Sequence, residues 1–227
     1  PFSSKAFSLR AFAKKSFRMP TFNELFYTEI GNALLKPETA VQYNVGAVWE
    51  KAYKASLIRG FRLQVDGYFN NVSDKIVAYP KGQQFRWTML NLGKVHIKGI
   101  DLQAETTMQP SPELSFTGRL QYTYQQARDV TNPSDSYYKH QIPYIPWHSG
   151  SAIVGANYKQ WQLNYSFIYA GKRYNQQENI IYNYMPAWYT SDLSLVYAFK
   201  WHNMRCKVTA EANNLFAQDY DVILNYP

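Results

Sequence analysis

A two-residue rhythm limits what this chain can fold into more than any other feature. Nine stretches, each roughly ten residues long, alternate apolar and polar side chains, and none is a long unbroken apolar run. In the run from Trp161 to Tyr169, Trp161, Leu163, Tyr165, Phe167 and Tyr169 fall on one side, and Gln162, Asn164 and Ser166 on the other. Side chains of a strand point to opposite faces in turn, so each stretch is a ribbon with one apolar and one wet face. Nine such ribbons predict an all-β chain: an antiparallel transmembrane β-barrel, apolar toward lipid and polar toward its lumen.

Composition agrees once the geometry is allowed for. Mean hydropathy is -0.45, which alone suggests a soluble protein. In a barrel, half of every strand and all the loops are wet, so the average hides the membrane face. The 20 tyrosines and 6 tryptophans suit bilayer interfaces, where a ring with a polar edge is at home. A soluble β-sandwich is also aromatic-rich, but its strands would be shorter, about five or six residues. The net charge of +8 comes from basic residues scattered along the chain, and no nucleic-acid partner is expected. In a barrel these residues would lie in the loops and lumen, beside anionic outer-membrane lipid and lipopolysaccharide or an anionic ligand. The single cysteine, Cys206, is in phase with Met204, Val208 and Ala210, which places it on the apolar face as a small hydrophobe.

The ribbons run Lys5–Lys14, Val41–Glu50, Gly60–Val72 and on toward Ala78, Trp87–Met108, and Leu114–Tyr124. Then follow Ser149–Tyr158, Trp161–Gly171, Tyr189–Phe199 and Met204–Asn214. Long connections alternate with short ones. Lys15–Thr39, Ala127–Trp147, Lys172–Trp188 and the tail from Leu215 are long, and a smaller loop turns at Pro80-Lys-Gly82. The links at Lys51–Arg59, Pro110–Pro112, Lys159–Gln160 and Lys200–Asn203 are short. Outer-membrane barrels have long extracellular loops and short periplasmic turns, which assigns the two sides. Single-chain bacterial barrels have even strand numbers and no free edge. Nine strands ending at Pro227 in an apparent loop, with no signal peptide or initiator methionine, predict a piece of something larger.

A set of motifs then resembles a known family. Phe17-Arg-Met-Pro-Thr-Phe-Asn-Glu-Leu25 is followed by Gly31-Asn32, Leu35-Lys-Pro-Glu38 and Tyr43-Asn-Val-Gly46. Asn91-Leu-Gly93, Gly99-Ile-Asp101, Asn213-Asn-Leu-Phe216 and Asp219-Tyr220 come later. This order is similar to the C-terminal barrel of TonB-dependent outer-membrane receptors, with Asp101 standing where that family commonly has Glu. The resemblance implies about nine consecutive strands of a larger, 22-stranded barrel. Residues 1–227 would form the C-terminal part of its barrel domain, with the plug, its energy-coupling box and the closing strand outside this chain. Arg18, Pro20, Glu24, Asn32, Pro37, Glu38, Asn213 and Asn214 are read as architectural. Prolines stop ladder pairing, Arg18 and Glu38 can pair at a strand mouth, and paired asparagines suit a strand-to-loop turn.

Function follows from the resemblance as an expectation. It implies energy-coupled uptake of a scarce, bulky nutrient, driven by a TonB-type inner-membrane complex, and a small-molecule ligand. No catalytic residue, metal site or cofactor is expected; the sequence has no zinc-ligand spacing and no Gly-x-Ser-x-Gly. Ligand contacts are expected from the outside loops: Tyr137, Tyr138, Tyr144, Arg173, Tyr174, Asn175, Tyr182 and Tyr184. Aromatic and amide groups together suit a large, semi-polar molecule. Haem receptors of the family usually carry a histidine between the Arg-x-Pro and Asn-x-x-Leu motifs, and Lys15–Thr39 has none. Cobalamin and ferric siderophores remain; the compact loops resemble the cobalamin and small-siderophore branch rather than the large glycan importers, and cobalamin is slightly favoured. A passive porin, and an adhesin or platform for a surface lipoprotein lid, are the readings from other classes.

Overall fold

The computed structural model describes residues 6–28, 30–53, 57–81 and 86–223. Five long strands come first: β1 (Phe7–Arg18), β2 (Glu38–Ala52), β3 (Ile58–Lys81), β4 (Arg86–Ser111) and β5 (Leu114–Asp129). Then follow β6 (His148–Tyr158), β7 (Trp161–Ala170), the short β8 (Arg173–Tyr174) and β9 (Tyr184–Met185), β10 (Trp188–Trp201) and β11 (Met204–Ala212). The described helices are one α-turn, α1 (Phe22–Phe26), and a 3-10 turn at Ile181–Asn183. Nine strands form one antiparallel sheet in the order β1-β2-β3-β4-β5-β6-β7-β10-β11, so each pairs with its chain neighbour. The β8–β9 pair forms a small hairpin inserted between β7 and β10. The expected meander of nine ribbons is the fold.

The register keeps the two faces apart. Leu9, Ala47, Val65, Leu102 and Leu120 lie on one face, and Arg10, Gly46, Asp66, Asp101 and Thr123 on the other. On the apolar face, aromatic residues recur at one spacing. Phe61 and Phe69, Phe116 and Tyr124, Trp161 and Tyr169, and Tyr189 and Tyr197 are each eight positions apart on their strands. Their rows meet across strands: Trp161 faces Tyr197 with ring centroids 4.4 Å apart, and Tyr169 is opposite Tyr189. Trp49 and Phe61 continue the row near the short turns, at 5.2 Å. Between the rows lie the aliphatic Leu63, Val65, Leu120, Leu163, Leu193 and Leu195, together with Tyr122, Tyr165 and Phe167.

Several strands outrun the alternation that revealed them. β1 runs on through Lys15–Arg18 and β5 through Ala127–Asp129, both expected to be loop. β3 and β4 reach 24 and 26 residues, so the connection near Pro80 is the end of a long hairpin. Residues 82–85 of that turn lie outside the described residues, as do Lys5, 54–56 of the Lys51–Arg59 link and the last four of the tail. The physical reason is plain. Beyond the aromatic rows the faces no longer divide into apolar and polar. Lys98 and Lys94 follow Ile100 in the apolar-face phase, while Val72, Val95 and Ala127 are buried in the polar-face phase, so alternation fades while the backbone ladder continues.

The short links are tight. Lys159 and His202 take left-handed backbone angles at the first loop position of their hairpins, as a two-residue turn between twisted strands requires. The opposite end carries the main buried cluster, Val72, Leu92, Val95, Ala127 and Ile142. Ile142 comes from the β5–β6 connection and donates its N–H to Ala127 O, so that connection covers the end of the sheet.

Candidate functional site: a polar wall and a cross-linked loop platform

The polar face is wired across strands rather than along them. Arg10 on β1 and Asp66 on β3 sit opposite the same β2 residue, Gly46, and bond over it, Nε to Oδ1 at 3.0 Å and Nη2 to Oδ2 at 2.6 Å. A Cβ on Gly46 would overlap Asp66 Oδ1 and approach Arg10 Nε to 2.9 Å. The glycine is therefore a window for the pair. The device recurs at Gly99 on β4, over which Tyr68 donates its hydroxyl to Gln125 Oε1 at 2.9 Å. At Gly155 on β6 a Cβ would likewise approach Thr117 Oγ1 to 2.6 Å and Asn164 Oδ1 to 3.2 Å. Asp101 stands directly opposite Asp66 and accepts from Thr123 at 2.8 Å. Arg10, Asn44, Gln64, Asp66, Asp101 and Gln103 line a polar hollow of about 580 Å³. Among the described residues no three His, Cys, Asp or Glu side chains group as a metal ion would need.

The motif residues form the joints at the long-loop end. Thr21 caps α1, accepting from the Glu24 N–H at 3.3 Å, while Glu24 Oε2 accepts from the Thr21 N–H at 2.7 Å. Pro20 precedes this capping box, which suits it, since the missing N–H is not needed there. Arg18 grips Glu24 at 3.0 Å and Glu38 at 3.4 Å; Glu38 also meets Lys75 at 3.5 Å and accepts from the Ile76 N–H at 3.1 Å. One arginine thus ties the end of β1 to α1 and to the start of β2. Burial pushes the Glu24 carboxyl up, but the Thr21 N–H and the Arg18 guanidinium outweigh it and hold it below the ordinary carboxylate value. Asn32 donates to Met89 O at 2.9 Å and accepts from the Leu34 N–H at 3.0 Å, pinning the loop to β4. Exposed Pro37 immediately precedes β2. At the other end, left-handed Asn214 bonds Gln218 through both its amide groups and donates its N–H to Asp192 Oδ1 at 2.8 Å. Asn213 beside it is exposed.

The two Tyr- and Asn-rich connections are bound to each other. From the β5–β6 connection, Gln141 N–H donates to Asn179 Oδ1 at 2.6 Å, and Tyr137 donates to Glu178 Oε1 at 3.0 Å. From the other side, Gln177 donates to Asp129 Oδ2 at 2.9 Å, and Tyr144 N–H donates to Tyr174 O at 2.8 Å. Asn183 closes its own connection through Glu178 O, and Asn175 N–H donates to Asn183 O. Gln141, Gln177, Asn179 and Asn183 were not singled out from the sequence. The density of amide side chains between Lys172 and Trp188 was the available signal.

The eight ligand candidates divide in this frame. Tyr182 is 90% exposed, at the tip of the 3-10 turn, and Tyr184 lies beside it at 40%. Tyr174 and Tyr184 meet edge to face at 6.0 Å across the β8–β9 hairpin. Tyr137 and Tyr138 are half-buried, and Lys139 Nζ lies 5.1 Å over the Tyr138 ring. Tyr144 has a left-handed backbone and is half-buried. Asn175 is buried, its side-chain oxygen accepting nothing from the described residues. Arg173 is 3% exposed and turned inward, donating to Pro186 O at 3.2 Å, Val222 O at 3.3 Å and Asp221 O. Burial lowers its pKa, partly offset by Tyr144 and Asp221. Arg173 clamps the tail to the platform, and Trp188 stacks on Tyr220 of that tail at 4.3 Å.

Comparison with known proteins places this architecture. The chain is 28% identical over 210 residues to the vitamin B12 transporter BtuB of Photobacterium profundum, covering 92% of this chain and 31% of that protein. The copper transporter OprC superposes with a TM-score of 0.66 at 17% identity, over 96% of this chain and 33% of its own. The ferric yersiniabactin uptake receptor FyuA from Yersinia pestis gives 0.63 at 17%, over 97% and 31%. The chain therefore spans about a third of these proteins. Residues 3–215 match the family described as "TonB dependent receptor-like, beta-barrel", and the chain belongs to that family.

Proposed function

We propose that this chain is wall and loop platform of an outer-membrane transporter that takes up a scarce, bulky nutrient through TonB-type energy coupling, with cobalamin as the substrate. The observation that carries the substrate is the 28% identity to a vitamin B12 transporter along 92% of this chain. The cross-linked loops support it as well. Bound to each other by Gln141, Asn179 and Gln177, they make a compact rim rather than long mobile arms. Tyr182, Tyr184, Tyr138 and Tyr137 offer ring faces for a large corrinoid, with Tyr144, Tyr174, Asn175 and Arg173 holding the rim in shape. The family is one of receptors and transporters, and no enzymatic role is proposed. The family and the apolar face between two aromatic rows support localisation to the outer membrane as a multi-pass barrel.

The test is a titration of the intact receptor, purified in detergent, with cyanocobalamin and separately with ferric siderophores. Sub-micromolar binding of cyanocobalamin alone is the expected result, weakened roughly thirtyfold by Tyr182→Ala with Tyr184→Ala, since each stacked ring contributes about 1 kcal/mol. Binding of a ferric siderophore alone would move the protein to the siderophore receptors. Binding of neither would overturn the substrate assignment and return a passive porin, or a platform for a surface lipoprotein.

A further inference from the structure

The sheet sorts its carboxylates by face, while basic residues such as Arg10, Arg62, Arg119 and Lys200 share the polar face with them and others lie on the apolar one. The carboxylates carried by its strands, from Glu38 on β2 to Glu211 on β11, all fall in the polar-face phase. The apolar face carries the opposite sign, and one group of cations sits on it just beyond the aliphatic band. On β4, Met108, Thr106, Ala104, Leu102 and Ile100 are followed in the same phase by Lys98, His96 and Lys94. Directly opposed residues of an antiparallel pair share a face, which adds Arg128 on β5, opposite His96. The row continues through Asn71 and Val41 to Lys15 on β1.

Lys94 and Lys98 are exposed, and among the described residues neither they nor Arg128 pairs with a carboxylate. His96 is held against Phe69, with ring centroids 5.3 Å apart, and Arg128 lies 5.0 Å from the Trp147 centroid with its Nε donating to no described residue. Successive side chains on one face of a strand are about 7 Å apart, so Lys98 stands about 7 Å past Ile100 along β4. Like charges at that spacing repel, and next to hydrocarbon they do so in a lower dielectric than water. A bound anion would reverse the sign of the interaction.

We propose that Lys94, His96, Lys98 and Arg128 form a site for the phosphate groups of an acylated glycolipid in the outer leaflet, whose chains lie along the aliphatic band below. A phosphate offers three acceptor oxygens to ammonium and guanidinium donors, and charge-assisted bonds of this kind are the strong ones. The aromatic rows set the height and the acyl chains set the approach, so a membrane lipid satisfies both halves of the surface where a free anion satisfies one. The site rests on reading the apolar face as a membrane wall.

The experiment uses the full-length receptor in detergent and measures retention of a bis-phosphorylated glycolipid by native mass spectrometry. Parallel samples use the same glycolipid with its phosphates removed, and inorganic phosphate as competitor. K94Q/K98Q is compared with K200Q, a lysine at the opposite end of the wall. Retention should fall roughly thirtyfold in K94Q/K98Q, given about 1 kcal/mol for each lysine at an anionic surface. It should be unchanged in K200Q, and the dephosphorylated lipid should bind wild type and K200Q as weakly as the phosphorylated lipid binds K94Q/K98Q. Equal retention in K94Q/K98Q and wild type would overturn the site. Displacement by millimolar inorganic phosphate would overturn its lipid identity. Failure of the wild type to insert into lipid vesicles would instead remove the wall reading beneath it, and because insertion is scored separately the two failures are told apart.

Discussion

At the scale of single residues, glycine is the most informative side chain in this wall. Gly46 has an ordinary extended backbone, so its value lies in the space it leaves for Arg10 and Asp66 to meet over β2. Gly67, on the other face of β3, faces no such demand; a Cβ there meets only Val45 O, at 3.9 Å. The two positions therefore part company on substitution. Gly46→Val should destabilise the full-length barrel by roughly 1–3 kcal/mol, the cost of overpacking a filled site. Gly67→Ala should be neutral or stabilising by up to about 1 kcal/mol. Urea titration of the two variants, followed by tryptophan fluorescence, checks this, and equal midpoints would refute the window role. None of it was legible in the sequence. Period-two alternation says which face Gly46 occupies, but not that two charges from flanking strands converge above it, because that depends on register.

At the scale of elements, the strands were legible and their joints were not. Alternation located all nine sheet strands but stopped short at Lys14 and Tyr124. Above the aromatic rows the apolar-face phase takes on cations and the polar-face phase takes on the buried Val95 and Ala127, so the signal dies while pairing persists to Arg18 and Asp129. The segment after Pro20 reads as loop, yet it holds a helical turn closed by a Thr21–Glu24 capping box, a pattern visible in Thr-Phe-Asn-Glu itself. That turn carries a pH prediction. The folded Glu24 carboxyl titrates below its ordinary value near 4.5, so its contribution is fully present above that pH. It is lost as pH falls through the depressed folded value, when protonation removes the charge facing Arg18. Hydrogen exchange of the α1 amides, corrected for intrinsic rate, should show constant protection from neutral pH down to about 4.5 and a decline below it. Glu24→Gln should start less protected and show no such decline. A wild-type profile parallel to that of Glu24→Gln would show that the carboxylate does not hold the turn.

At the scale of the whole molecule, the decisive quantity is the distance between the two aromatic rows. Four strands place rings eight positions apart on the apolar face, Phe61 to Phe69, Phe116 to Tyr124, Trp161 to Tyr169 and Tyr189 to Tyr197. Counted inclusively, each span matches the lower end of the roughly 9–11 residues that a tilted strand needs to cross a bilayer. Leu63, Val65, Leu120, Leu163, Leu193 and Leu195 lie in the interval, with Tyr122, Tyr165 and Phe167 among them, and the polar network from Arg10 to Thr123 occupies the reverse side. A soluble sandwich would bury one face of such a sheet against another and leave neither face with two ring-rich borders. The wall reading can be tested by collision. With Cys206→Ser as background, nitroxides placed singly along β4 in the full-length receptor, reconstituted in vesicles, should alternate in environment. Labels at Ile100, Leu102 and Ala104 should collide with oxygen dissolved in the bilayer, and labels at Asp101, Gln103 and Glu105 with a water-soluble nickel chelate. Continued past Lys98 toward Lys94, the oxygen signal should fade, because there the apolar-face phase carries cations and enters the headgroups. Equal chelate access at Leu102 and Gln103 would mean water on both faces, and the sheet would then have to belong to a wall that no bilayer surrounds.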